Sequence, residues 1–165
     1  MNGRILVTYA TRTGSTVGIA SAVAETLSQR GFAVDVKPVN DNPSPAGYQA
    51  VLIGSAVNGA NWLPEAIEYV RNNQADLQLT NTGLFCVHIM NTGDDERSLK
   101  KRQAYLKDVR PLLESAEEAY FTGMGLNPAD SSGLERWIYR TFKIGPEGDC
   151  RDWNKINGWA KTVEL

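Results

Sequence analysis

Two cysteines and one histidine are all that these 165 residues offer for thiol or soft-metal chemistry. Cys86 lies in an apolar run and reads as a small buried hydrophobe, whereas Cys150 lies in a polar loop as a free thiol. No metal-ligand spacing joins either of them to His88. An excess of charge of one sign is also missing. Seventeen Lys and Arg against nineteen Asp and Glu leave a net charge of −2, which argues against a nucleic-acid partner. No apolar stretch is long enough to span a bilayer. Met1-Asn2-Gly3-Arg4-Ile5 lacks the pattern of a secretory signal, so cytoplasmic residence is expected. No repeat, low-complexity tract or second domain interrupts the chain, and one domain is expected over 1–165. No catalytic triad or paired acid and base stands out.

Apolar runs alternate with helical patterns. Strands are expected at 4–9, 32–37, 50–55, 83–90 and 118–124. The first, third and fourth are nearly continuous in apolar residues, as strands of a parallel sheet covered on both faces are. Ala20, Val23, Ala24 and Leu27 fall on one helical face, and Gly31 follows as a stop. Leu63, Ala66, Ile67 and Val70 repeat the spacing, with Pro64 in the first turn. Leu99, Leu106 and Val109 form a weaker stripe that ends before Pro111. Trp153, Ile156, Ala160 and Val163 give a last helix with Asp152 as N-cap. Asn40 to Pro45 is turn chemistry, so no long helix is expected between strands two and three. The pattern predicts an α/β fold with a five-stranded parallel sheet and helices on both faces. Residues 126–150 are an insert between the fifth strand and the last helix.

The first strand runs into Thr11-Arg12-Thr13-Gly14-Ser15-Thr16 and then a helix. Free N–H groups at a helix start, the helix dipole and four hydroxyls in six residues make an anion cradle. Capping the helix needs only one such hydroxyl. A Walker loop needs a lysine that is absent here, and a dinucleotide fingerprint needs three spaced glycines where only Gly14 is available. A single terminal phosphate, as on a mononucleotide such as FMN, fits best. The absence of catalytic side chains agrees with chemistry supplied by a bound cofactor.

Thr11-x-Thr13-Gly14-x-Thr16 after a first strand resembles the phosphate loop of flavodoxins. Order of elements, crossover lengths and size fit that family over most of the chain. The resemblance implies a flavodoxin-like three-layer α/β/α sandwich with strand order 2-1-3-4-5, and FMN as cofactor. Val51 to Gly59 resembles the family's second loop, beside the isoalloxazine, which implies Ser55, Ala56, Val57, Asn58 and Gly59 as cofactor contacts. Met90-Asn91-Thr92-Gly93-Asp94 lies where the family's third flavin loop does, implying Asn91, Thr92 and Gly93. A narrower likeness is to menaquinone-dependent protoporphyrinogen oxidases, which also place an arginine second in the phosphate loop. Gly54 to Val70 with Trp62, and Ile144 to Trp153, fit that group, although its long basic segment after the fifth strand has only a shorter counterpart in 134–143. It implies an oxidoreductase, with a plain flavodoxin-type electron carrier as the alternative and a flavin-free interaction module as the third. The partners implied are a redox protein or a quinone- or porphyrinogen-type small molecule.

Several residues admit two readings. Arg12 is a solvated loop residue, or it offsets phosphate charge. Asn58-Gly59 is a turn dipeptide whose peptide can also face the flavin. Trp62 stacks on the ring or staples a helix to the core. His88 reads as a satisfied core histidine in preference to a proton donor. Asp94, Asp95 and Glu96 begin a helix, unless they depress a flavin potential. Leu134, Trp137, Ile138 and Phe142 share a helical face; packing or lid duty is favoured over membrane contact.

Overall fold

Ile5, Leu6, Val7 and Thr8 are completely buried, because the first strand lies inside the sheet with both faces covered. In this computed structural model, which describes residues 3–125, 132–141 and 147–165, that strand is β1, Arg4–Ala10. It leads into α1 (Ser15–Gln29), then β2 (Ala33–Pro38) and a 3₁₀ turn at Val39–Asp41. β3 (Ala50–Asn58) doubles back through a two-residue strand, β4 (Asn61–Trp62), and runs into α2 (Pro64–Asn72) and α3 (Gln74–Gln78). β5 (Asn81–His88) is followed by α4 (Glu96–Gln103) and 3₁₀ turns at Ala104–Leu106 and Arg110–Leu112. β6 (Glu117–Thr122), α5 (Gly133–Thr141) and α6 (Trp153–Thr162) complete the order.

The five long strands are parallel in the order β2-β1-β3-β5-β6, the order expected from the sequence. The sixth strand, β4, pairs antiparallel with β3 off the main path. It was not expected, since two residues carry no periodicity. The β3–β4 link has Gly59 at φ 59° and Ala60 at φ 61°. Positive φ at both central residues is the twist-matched hairpin turn. Asn58 therefore sits one position before the turn's centre.

Alternating residues of each strand feed two cores. Ile5, Val7, Leu52, Phe85 and Phe121 pack with α1 and α6. Leu6, Val51, Ile53, Leu84 and Cys86 pack with α2, α3 and the 3₁₀ region. Gly54 is required for the first of these: a Cβ there would lie 2.0 Å from the Phe85 ring. The stripes of α1 and α2 are buried as expected. Asp152 caps α6 by accepting from the Lys155 N–H. The stripe after β5 differs. Leu99 is exposed, and Arg102 takes the buried position instead. Phe142 lies outside the described residues.

Candidate functional site

The register β1–β3 sets Ala10 beside Ser55, and β3–β5 sets Ala56 beside Val87. The segments 11–14, 56–62 and 89–95 therefore emerge together at the carboxyl ends of the strands, where open α/β sheets bind ligands.

The first segment is an uncapped helix start. Gly14 holds the N-cap position at φ 85°, so no N-cap side chain accepts from the first N–H groups of the helix. Thr11 Oγ1 accepts the Gly14 N–H at 3.0 Å and closes the loop. Among the described residues, the N–H groups of Thr13, Ser15 and Thr16 have no acceptor. Thr16 Oγ1 is buried and without a partner. Such an orphan is costly unless a ligand or water completes it. A Cβ on Gly14 would meet no atom within 4 Å, so the space over the loop is open. Ser15 is committed differently: its Oγ accepts the Met124 N–H at 2.9 Å and ties α1 to the chain beyond β6. Its own proton stays available for donation.

Arg12 is not a free cation. Its guanidinium forks onto both oxygens of Glu65 in the first turn of α2, with the second bond at 3.0 Å. Those hydrogen bonds hold the Glu65 carboxyl below its usual range. The loop thus presents neutral donors rather than a net positive charge.

In the second segment Ala56 and Val57 are half-buried, while Asn58 and Gly59 are exposed. Ser55 is buried; its Oγ donates to the Ala56 carbonyl at 2.9 Å and accepts the Leu63 N–H at 3.1 Å. Trp62 points inward. It is 2% exposed, and its indole N–H bonds Cys86 Sγ at 3.0 Å. The structure gives Trp62 the packing role of the two readings. Burial pushes the Cys86 thiol up, which keeps it protonated and inert.

In the third segment Asn91 adopts φ 57°, and Thr92 and Gly93 are exposed. Two of the acidic trio have structural uses. Asp95 caps α4 through the Ser98 N–H, and Glu96 pairs with Lys100 at 2.7 Å. His88 is a satisfied core histidine, with Nδ1 at 2.8 Å from the Met90 carbonyl. Burial pulls its pKa down to about 4. A histidine in the unfolded chain titrates near 6.5, so between these values the unfolded state holds the extra proton. Stability should therefore fall as pH drops from about 6.5 to about 4, by about 3 kcal/mol from this group. Urea midpoints at pH 7 and pH 4.5 check this. His88→Asn should lose less stability than wild type over that interval; parallel losses would remove His88 as the cause.

The sequence matches the family described as a flavodoxin domain over residues 6–124. The chain belongs to that family. Solved structures agree on the fold. A short-chain flavodoxin associated with a non-canonical PDU bacterial microcompartment superposes with TM-score 0.60 at 12% identity, covering 98% of this chain and 97% of that one. A flavodoxin of Streptococcus pneumoniae gives TM-score 0.53 at 14% identity, with 97% of each chain covered. The rubredoxin oxygen:oxidoreductase of Desulfovibrio gigas gives TM-score 0.59 at 12% identity over 97% of this chain. This flavodoxin-domain chain spans only 35% of that enzyme. No helix among the described residues is long and apolar enough to cross a membrane.

Proposed function

We propose that this chain binds FMN across the carboxyl ends of its strands and serves as an electron-transfer flavoprotein. Bound FMN supplies the redox chemistry. The chain supplies the rest. The N–H groups of Thr13, Ser15 and Thr16 and the Thr16 hydroxyl hold the phosphate, with Thr11 shaping the loop and Gly14 leaving it open. Segments 56–59 and 91–93 border the ring. The observation that carries this reading is the orphaned Thr16 Oγ1, buried at an uncapped helix start. The partner is a redox protein that docks at the exposed ends of these loops in the cytoplasm.

Titrating purified, flavin-stripped protein with FMN and with riboflavin tests the reading. FMN should be taken up, with riboflavin at least about tenfold weaker, because riboflavin lacks the charge-assisted bonds of the phosphate. No uptake of FMN would overturn it.

One observation favours a second reading, an oxidoreductase similar to menaquinone-dependent protoporphyrinogen oxidase. The helix α5 leaves Leu134 66% and Trp137 60% exposed, an apolar face suited to a porphyrinogen- or quinone-type molecule. Oxidised protein mixed with protoporphyrinogen, and reduced protein mixed with a menaquinone, separate the two. Turnover in both would establish the oxidase; turnover in neither leaves the carrier.

A further inference from the structure

Arg102 belongs to the strongly polar helix α4, yet it is only 7% exposed. Among the described residues it has no carboxylate in close contact. The nearest, Asp94, stands 3.9 Å from Nη2 with its side chain fully in solvent. What the guanidinium does contact is main chain. Its Nη1 donates to the carbonyls of Asn91 and Gly93, at 2.6 Å each. The Tyr105 hydroxyl, also buried, donates to the Met90 carbonyl at 3.2 Å and accepts the Asn91 side-chain N–H at 2.6 Å. Three carbonyls of one short segment are thus drawn inward by the element that follows it.

A trans peptide is planar, and its N–H points opposite to its C=O. No cis peptide occurs among the described residues. Drawing in the carbonyls of Met90, Asn91 and Gly93 therefore turns outward the N–H groups of Asn91, Thr92 and Asp94. None of these three has an acceptor among the described residues. A turn that aims successive N–H groups one way makes an anion-attracting concavity. Here a buried positive charge stands behind it, and a carboxylate does not cancel that charge at close range.

We infer that Arg102 is the positioning residue of the third loop, holding its N–H groups outward toward a ring that carries carbonyl acceptors and gains negative charge when reduced. The inference rests on the FMN reading above. The ring of oxidised flavin already offers acceptors, so the aligned N–H groups favour both redox forms. The buried charge favours the reduced, more negative form further. Glu65 pairs closely with Arg12, and Lys100 with Glu96, whereas Arg102 faces only the solvent-exposed Asp94 at 3.9 Å, so most of its field stays with the loop.

The test compares Arg102→Lys, Arg102→Met and Arg102→Gln with wild type, all as the full chain loaded with FMN. Two quantities are read: the dissociation constant of oxidised FMN and the midpoint potential of the bound flavin. Arg102→Met should weaken oxidised FMN about tenfold, since bonds to a charged donor are lost. It should weaken reduced FMN about a further tenfold, seen as a fall of about 30 mV for a two-electron couple. Arg102→Lys keeps the charge and should recover most of the potential. Arg102→Gln replaces the Met variant if that one does not fold. A neutral variant whose potential equals that of wild type, or Lys and neutral variants that behave alike, would overturn the inference and leave Arg102 a structural brace. Wild-type protein that takes up no FMN would instead sink the proposed function, and this inference with it.

Discussion

Gly14→Val should abolish FMN retention while the protein stays folded. Gly14 sits at φ 85°, a region that costs a residue with a Cβ about 1–2 kcal/mol. Beyond its chain neighbours no atom lies within 4 Å of the added Cβ, so no tertiary clash adds to that strain. Stability should therefore fall only by about the strain itself, a drop of about 5 °C in Tm for a chain of this size. The effect on the ligand is much larger. Valine's methyl groups would fill the space over the loop, and relief of the strain would rotate the Ser15 and Thr16 N–H groups out of line. Each bond from such a donor to a charged phosphate contributes about 1.5–3 kcal/mol. Losing two raises the dissociation constant at least about a hundredfold. Riboflavin, which has no phosphate, should bind both proteins alike. Isothermal titration with both flavins, alongside thermal unfolding, decides the matter. A variant with wild-type FMN affinity would remove the loop from the site.

The open loop at 11–16 and the helix start behind it were legible because their signal is local. Six consecutive residues carry the hydroxyls, the glycine and the helix start, and the apolar run before them marks the strand. The doubly covered parallel sheet was legible for a related reason: runs such as Ala50 to Ile53 are apolar on both faces only where helices cover both faces, whereas the strand order followed from the resemblance to flavodoxins. What the sequence concealed depends on partners far along the chain. Arg12 looked like a free cation because Glu65, its counter-charge, is fifty-three residues away. Ser15 looked like a ligand donor, although its oxygen accepts from Met124 across the sheet. The helix after β5 misled through its phase. Leu99 and Leu106 share a face only in a continuous α-helix, but a 3₁₀ turn begins at Ala104. Each 3₁₀ residue turns about 20° further than an α-helical one, so three of them move the face by about 60°. The buried stripe is Arg102, Tyr105, Leu106 and Val109.

Trp62→Ala should be the most destabilising change at the site, and its effect should be on folding rather than on the flavin. Trp62 closes the β3–β4 hairpin opposite Val57 and is buried between Cys86 and the start of α2. Truncating a buried tryptophan costs about 3–5 kcal/mol. Against a total of about 5–15 kcal/mol for a typical domain, that leaves a marginal fold. Urea unfolding of the flavin-free protein reads this cost with no ligand in play. The companion variant separates packing from stacking. Trp62→Phe keeps an aromatic ring but loses the indole N–H that bonds Cys86, so the flavin-free protein should lose about 1–2 kcal/mol. Its FMN affinity should stay within about threefold of wild type, because the ring faces the core and the loop proposed to hold the phosphate is untouched. A tryptophan that stacks on the flavin gives the reverse pattern: unchanged stability without ligand, and affinity that drops about tenfold with its loss. That reverse pattern would return Trp62 from the core to the binding surface.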